Sequence, residues 1–223
     1  MAQIDKLQLA LFFQNPILRP DKLMDGINSS MDNLFDAMPQ ILPIPIEMSV
    51  DIPRVQMHSK NGIYHCNIAC SRVDFILNGD SQDEAAWSNS TMDFVAKLKL
   101  FINSVFEQTK IIRFGLIGTF WIPDKSAIKS ITKKYFKVDL NSAEEINLRF
   151  NKRNTRDKYK LNNITSINHT IKQTDDQANQ GILIELDVNN VPTAEHIESE
   201  IILQLIEDQM PSFSPAKVKV LVE

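Results

Sequence analysis

Apolar and polar positions alternate from the start of the chain. In DKLQLALFF (5–13), Leu7, Leu9, Leu11 and Phe13 fall on one side of an extended backbone, the pattern of a half-buried strand. Pro16 and Pro20 break it. DKLMDGINSSMDNLFDAM then carries Leu23, Met24, Ile27, Met31, Leu34 and Phe35 at helical spacing. Gly26 weakens the middle of that helix by about 1 kcal/mol relative to alanine. Between Pro39 and Pro53 there are four prolines, so PQILPIPIEMSVDIPR reads as an extended, irregular connection.

VQMHS and IYHCNIAC flank Lys60-Asn61-Gly62, and Asn-Gly between two alternating runs is a strong hairpin signal. RVDFIL continues as a strand with Val73, Phe75 and Leu77 to one side, and Asn78-Gly79 turns again. A helix follows, with Ser90 as its N-cap and Asp93 three residues on, in the manner of a capping box. Its stripe is Phe94, Val95, Leu98, Phe101, Ile102, Val105 and Phe106. KIIRFGLIGTFWI (110–122) is apolar on both faces, which predicts a central strand, with Gly115 and Gly118 marking a bulge or a close approach. DKSAIKSITKKYF predicts an amphipathic helix, and EINLRFNKR, DKYKLNNITSINHTIKQ and GILIELDV predict three strands. A helix over about 193–209 and a final strand, AKVKVLV, complete the series.

The order strand, helix, strands, helix thus occurs twice. Pro20-Asp21-Lys22 recurs as Pro123-Asp124-Lys125, 103 positions later, and the N-cap candidates Ser90 and Thr193 are 103 apart too. Leu98 matches Ile201 and Ile102 matches Leu205 at the same offset. The expectation is an α+β fold in one domain, 1–223, built by internal duplication from two similar halves, 1–108 and 109–223. They would share one antiparallel sheet with helices on one face.

Composition narrows the class. The chain is 43% hydrophobic and 23% charged with 6 glycines and 10 prolines, which excludes a disordered or collagen-like protein. The first residues lack a basic stretch before an apolar core, and no apolar run approaches membrane-spanning length. A soluble, cytoplasmic protein with no membrane partner is expected. Cys66 and Cys70, four apart, would stand about 13 Å from one another along a strand, too far for a disulfide, so both read as buried thiols. Asn-x-Ser/Thr matches at Asn28, Asn89, Asn163 and Asn168 follow from asparagine-rich composition.

Chemistry-bearing patterns are scarce. None of the four histidines sits in a metal-ligand spacing, and there is no nucleotide loop, nucleophile elbow or Cys-x-x-Cys pair. No catalytic residue, metal or cofactor is expected. Asp74, Glu185 and Asp187 are the carboxylates that a sheet would bring together if it brought any. Charge is the most uneven property: residues 125–160 hold eleven basic and four acidic residues, a net of +7 that leaves −11 for the rest of a chain of −4. Arg149, Lys152, Arg153 and Arg156 are therefore nucleic-acid-binding candidates, against the alternative of a solvated hairpin. The closing helix is acidic and would complement them, within the chain or across a homo-oligomer. Arg113, in an otherwise apolar strand, predicts a carboxylate partner in the chain or across an interface, because a lone buried charge is costly.

FVAKLKLFINSVFEQTKIIRFGLIGTFWIP resembles a widespread group of uncharacterised bacterial proteins with a SecB-like fold. In that group an amphipathic helix feeds a strand of the form Ile-x-Arg-hydrophobic-Gly-Leu, here Ile111, Ile112, Arg113, Phe114, Gly115 and Leu116. The N-terminal strand followed by Asn15-Pro16-Ile17 is similar too. About 40 residues carry the match. The chain departs from SecB proper in length, in its second set of hairpins and in the basic 149–160 stretch. The resemblance implies an antiparallel sheet that assembles with other copies and captures extended apolar polypeptide, as ATP-independent chaperones do; some relatives serve toxin–antitoxin pairs. Exposed strand edges would supply main-chain hydrogen bonds. Ile41, Leu42, Ile44, Ile46 and Met48 then become the partner-binding candidates, as an apolar arm or a cover over a groove. A structural part of a phage or secretion assembly is the other reading.

Overall fold

The computed structural model describes residues 2–45, 47–79, 84–137, 140, 143–174 and 177–223. Its strands are β1 (Gln3–Phe13), β2 (Gln40–Ile41), β3 (Val55–His58), β4 (Tyr64–Ile68), β5 (Arg72–Asn78), β6 (Ile111–Pro123), β7 (Asn147–Arg156), β8 (Tyr159–Thr174) and β9 (Gln177–Asn190). They form one antiparallel sheet in the order β2-β3-β4-β5-β1-β6-β9-β8-β7. Helices α1 (Leu23–Ser30), α2 (Glu84–Phe106), α3 (Ala127–Tyr135), α4 (Ser199–Gln209) and α5 (Pro215–Lys219) complete an α+β architecture. No helix of the described residues is long and apolar enough to cross a membrane.

The two runs β1-α1-β3-β4-β5-α2 and β6-α3-β7-β8-β9-α4 occupy opposite sides of the sheet, and β1 and β6 meet in the middle. Leu7, Leu9 and Leu11 of β1 face the same way as Gly118, Leu116 and Phe114, with which they pair. The helices cover this face. Phe75 stands at its centre, with the rings of Tyr64, Phe94 and Phe101 at 5.5, 5.3 and 5.0 Å. Gly118 is required by close approach, because a Cβ there would lie 2.6 Å from the Phe213 ring. Gly115 has nothing nearer than 3.8 Å.

Several expectations are corrected. α2 starts at Glu84, so Ser90 lies inside a helix, and α4 starts at Ser199, past Thr193. The 103-residue match of N-caps therefore fails. Buried helix positions align one residue further on instead: Leu23 with Ala127, Ile27 with Ile131, Leu98 with Ile202, and Ile102 with Ile206. α1 ends early because Asp32 and Asn33 adopt φ of 52° and 56°, and the Asn28 amide pairs with both backbone groups of Phe35. AKVKVLV forms α5 and a turn, not a strand. Ser214 accepts from the Lys217 N–H, Pro215 opens the helix, and Val218 is buried, so cap and tertiary contact override β propensity.

Both edges of the sheet are guarded. At β2 the Leu42 N–H points inward to Arg54 O at 2.8 Å. Alternation then aims positions 39, 41 and 43 outward, and Pro39 and Pro43 have no N–H to offer. At the other edge β7 exposes its outer side and presents Arg149, Lys152, Arg153 and Arg156 along ten residues. Prolines, short length and charge are the usual means of preventing strand addition. The expected capture of a peptide by main-chain pairing at an open edge is thus opposed at both ends.

Candidate partner-binding cleft

The prolines that keep 39–53 out of regular structure also leave its apolar side chains without a sheet to pack on. Ile41, Leu42 and Ile44 instead form one wall of a cleft of about 390 Å³. Pro16, Leu18 and Pro20, from the turn after β1, form the facing wall, and Val50, Val55, Cys70, Asp21 and Arg54 complete it. Leu18 is 84% exposed, Ile41 62% and Val50 42%. The arm is tied down from below. Arg54 donates to Ile44 O and, at 3.0 Å, to Pro45 O; the Ser71 N–H and hydroxyl both reach Val50 O at 3.2 Å.

Three of the five arm residues singled out from sequence thus converge. Met48 is 50% exposed and stands apart from the cleft lining, and Ile46 lies outside the described residues. Leu18, Pro16 and Pro20 were not anticipated. Their signal was the apolar pair Ile17-Leu18 held between two prolines.

The basic candidates do not form one patch. Pairing of β7 with β8 puts Arg149 and Arg153 opposite Ser166 and Asn162 on the sheet face away from the helices. Lys152 and Arg156 lie opposite Asn163 and Tyr159 on the helix side. There Arg156 pairs with Asp208 of α4 at 2.5 Å, and Lys158 with Glu195 at 3.6 Å, so the acidic closing segment does complement the hairpin within the chain.

Arg113 has no carboxylate partner among the described residues. Its guanidinium lies 4.9 Å from the centre of the Phe12 ring, and Arg72 approaches the same ring at 5.6 Å. Phe12 pairs with both residues in register, which sets the ring between two cations. Asp74 accepts a hydrogen bond from the Gln8 amide at 2.9 Å and forms an ion pair with Arg72 at 3.1 Å, and burial pushes its carboxyl above the ordinary value while Arg72 and Gln8 pull the other way. Asp74 shares a face with Glu185 and Asp187, but β1 and β6 intervene, a separation of about 14 Å at ordinary strand spacing. That is too wide for a paired acid and base. Among the described residues no three His, Cys, Asp or Glu side chains converge on a metal position. Cys66 and Cys70 are buried free thiols, and burial raises the Cys66 pKa further.

No known protein-family model matches the chain, and a comparison with curated proteins finds no match.

Proposed function

We propose that this chain is a protein-binding module that takes apolar segments of a partner polypeptide into the cleft between the Pro16–Pro20 turn and the proline-rich arm. What supports this most is the company that Leu18 and Ile41 keep: two large, exposed apolar side chains line one cleft with Leu42, Ile44 and Val50. Single exposed leucines are ordinary, whereas a contiguous apolar patch marks an interaction surface. Because the arm is tied by Arg54 and Ser71, little freedom is lost on binding. With both sheet edges guarded, affinity comes from side-chain burial, at about 25 cal/mol per Å² before association costs. Chaperone-like capture of the SecB kind is the finer form of this reading.

The test uses a chemically unfolded client protein whose aggregation is followed by light scattering. The full chain should slow aggregation at near-stoichiometric ratio. Leu18→Asp combined with Ile41→Asp should lose most of that effect, while changing Arg149, Lys152, Arg153 and Arg156 to Gln should leave it intact. Both apolar positions are exposed, so the double variant should melt like the parent. A parent without effect on the client, or a double variant as active as the parent, would falsify the proposal.

A further inference from the structure

A second cleft, of about 580 Å³, lies along α3 and shares no lining residue with the apolar one. Lys125, Lys129, Thr132 and Lys133 line it, with Ile128 and Leu140 supplying apolar wall. Helical spacing sets Lys129, Thr132 and Lys133 on one face of α3, with the two lysines one turn or about 6 Å apart, and Lys125 reaches the cleft from the turn before the helix. This is an odd concentration of charge. α3 has no acidic residue in its first turn, and cations near a helix N-terminus oppose its dipole. Like charges one turn apart also repel.

Among the described residues none of the three lysines forms an ion pair. The adjacent carboxylate, Asp124, is taken up by the Ser126 N–H at 2.7 Å and the Ser130 hydroxyl at 2.6 Å. Lys134, on the other side of the helix, donates to Val220 O, and the acidic closing segment neutralises the hairpin instead. The Thr132 hydroxyl oxygen is buried with no hydrogen-bond partner. Local rules broken without compensation are a mark of a binding site.

We propose that this cleft binds a small ligand carrying a chain of phosphates and an apolar ring, such as a nucleoside polyphosphate. Lys125, Lys129 and Lys133 act as point charges on successive phosphates, as lysine does where arginine's fork is not needed. Ile128 and Leu140 receive the ring, and rotation of the Thr132 side chain about its Cα–Cβ bond brings its hydroxyl into the cleft, where a phosphate gives it the partner it lacks. The volume falls within the range of small-molecule sites.

Calorimetric titration of the full chain with inorganic tripolyphosphate and with ATP, at low and moderate salt, tests this. Both should bind, more weakly at higher salt, with ATP the tighter because of the apolar wall. Lys129→Gln with Lys133→Gln should weaken both by about tenfold or more, while Arg149→Gln with Arg153→Gln should change them by less than about twofold. Thr132→Val should weaken binding about three- to tenfold and leave the melting temperature of the unliganded protein unchanged or raised, since it removes an unpaired buried hydroxyl. The proposal is overturned if the parent takes up neither ligand at millimolar concentration, if the arginine pair matters as much as the lysine pair, or if a single-stranded oligonucleotide binds more tightly than ATP.

Discussion

Two glycines that look alike in sequence have opposite roles. At Gly118 an added methyl meets the rings of Phe213 and Phe120 at 2.6 and 2.9 Å, so Gly118→Ala should destabilise by about 1–3 kcal/mol. At Gly26 the nearest obstacle, at 2.9 Å, is the amide end of the flexible Gln108 side chain. Gly26→Ala should instead stabilise, by up to about 1 kcal/mol, as the helix gains alanine's propensity. Urea melts of the two variants give both signs at once. Asp74 adds a pH signature. Its carboxyl titrates above the ordinary 3.8 in the folded protein, so the folded state holds the proton more tightly than the unfolded chain. Stability contributed by this group is present below the unfolded value and falls as pH rises through the folded one. Relative to the parent, Asp74→Asn should therefore gain stability as pH increases from about 3.8 and level off above the folded pKa. A flat difference between the two melting profiles would refute the assignment.

At the scale of elements, β7 and the C-terminal segment show how context governs identical tendencies. β7 has ten residues and one free side, and its charges are what separates it from an aggregating edge. Replacing Arg149, Lys152, Arg153 and Arg156 by Thr should leave β7 paired with β8 but make the protein self-associate with rising concentration. Light scattering and sedimentation are the measurements. The Gln variant used with the client protein loses the same charges, so its own scattering is measured without client before the two are mixed. AKVKVLV carries the alternation of a strand, yet its cap and its buried valine fix it as a helix. Ser214 and Pro215 start a helix, and Val218 is buried from it.

The whole molecule is organised by a single pairing. β1 and β6, about 100 residues apart in sequence, meet across ten register pairs and join the two runs of elements into one core. Neither half buries its central strand alone, because each lends the other its missing neighbour. The full chain should unfold in one cooperative transition, with tryptophan fluorescence and far-ultraviolet circular dichroism coinciding. A fragment 1–108 should be largely unfolded by itself and recover structure when mixed with 109–223. Two separated transitions, or a stable isolated half, would break the shared-core account.

Periodicity alone determined most of this architecture: the alternation in β1, the two-sided apolarity of β6, the stripe of α2 and the repeated element order all reside in local pattern, since burial on one face imposes a period of two or 3.6. Half of the cleft was legible too, because prolines that forbid regular structure beside Ile41, Leu42 and Ile44 leave apolar side chains with nothing to pack on. Tertiary structure alone decided the rest. Leu18 joins Ile41 only because the turn after β1 folds against the arm. Arg149 and Arg153 part from Lys152 and Arg156 because alternation in a strand divides neighbours between two faces. Asp208 and Glu195 pair with Arg156 and Lys158 of the hairpin while, among the described residues, Lys125, Lys129 and Lys133 form no ion pair, and Arg113 finds an aromatic ring where a carboxylate was expected. Each of these depends on which distant segments become neighbours, and a one-dimensional pattern carries no information about distance across a sheet.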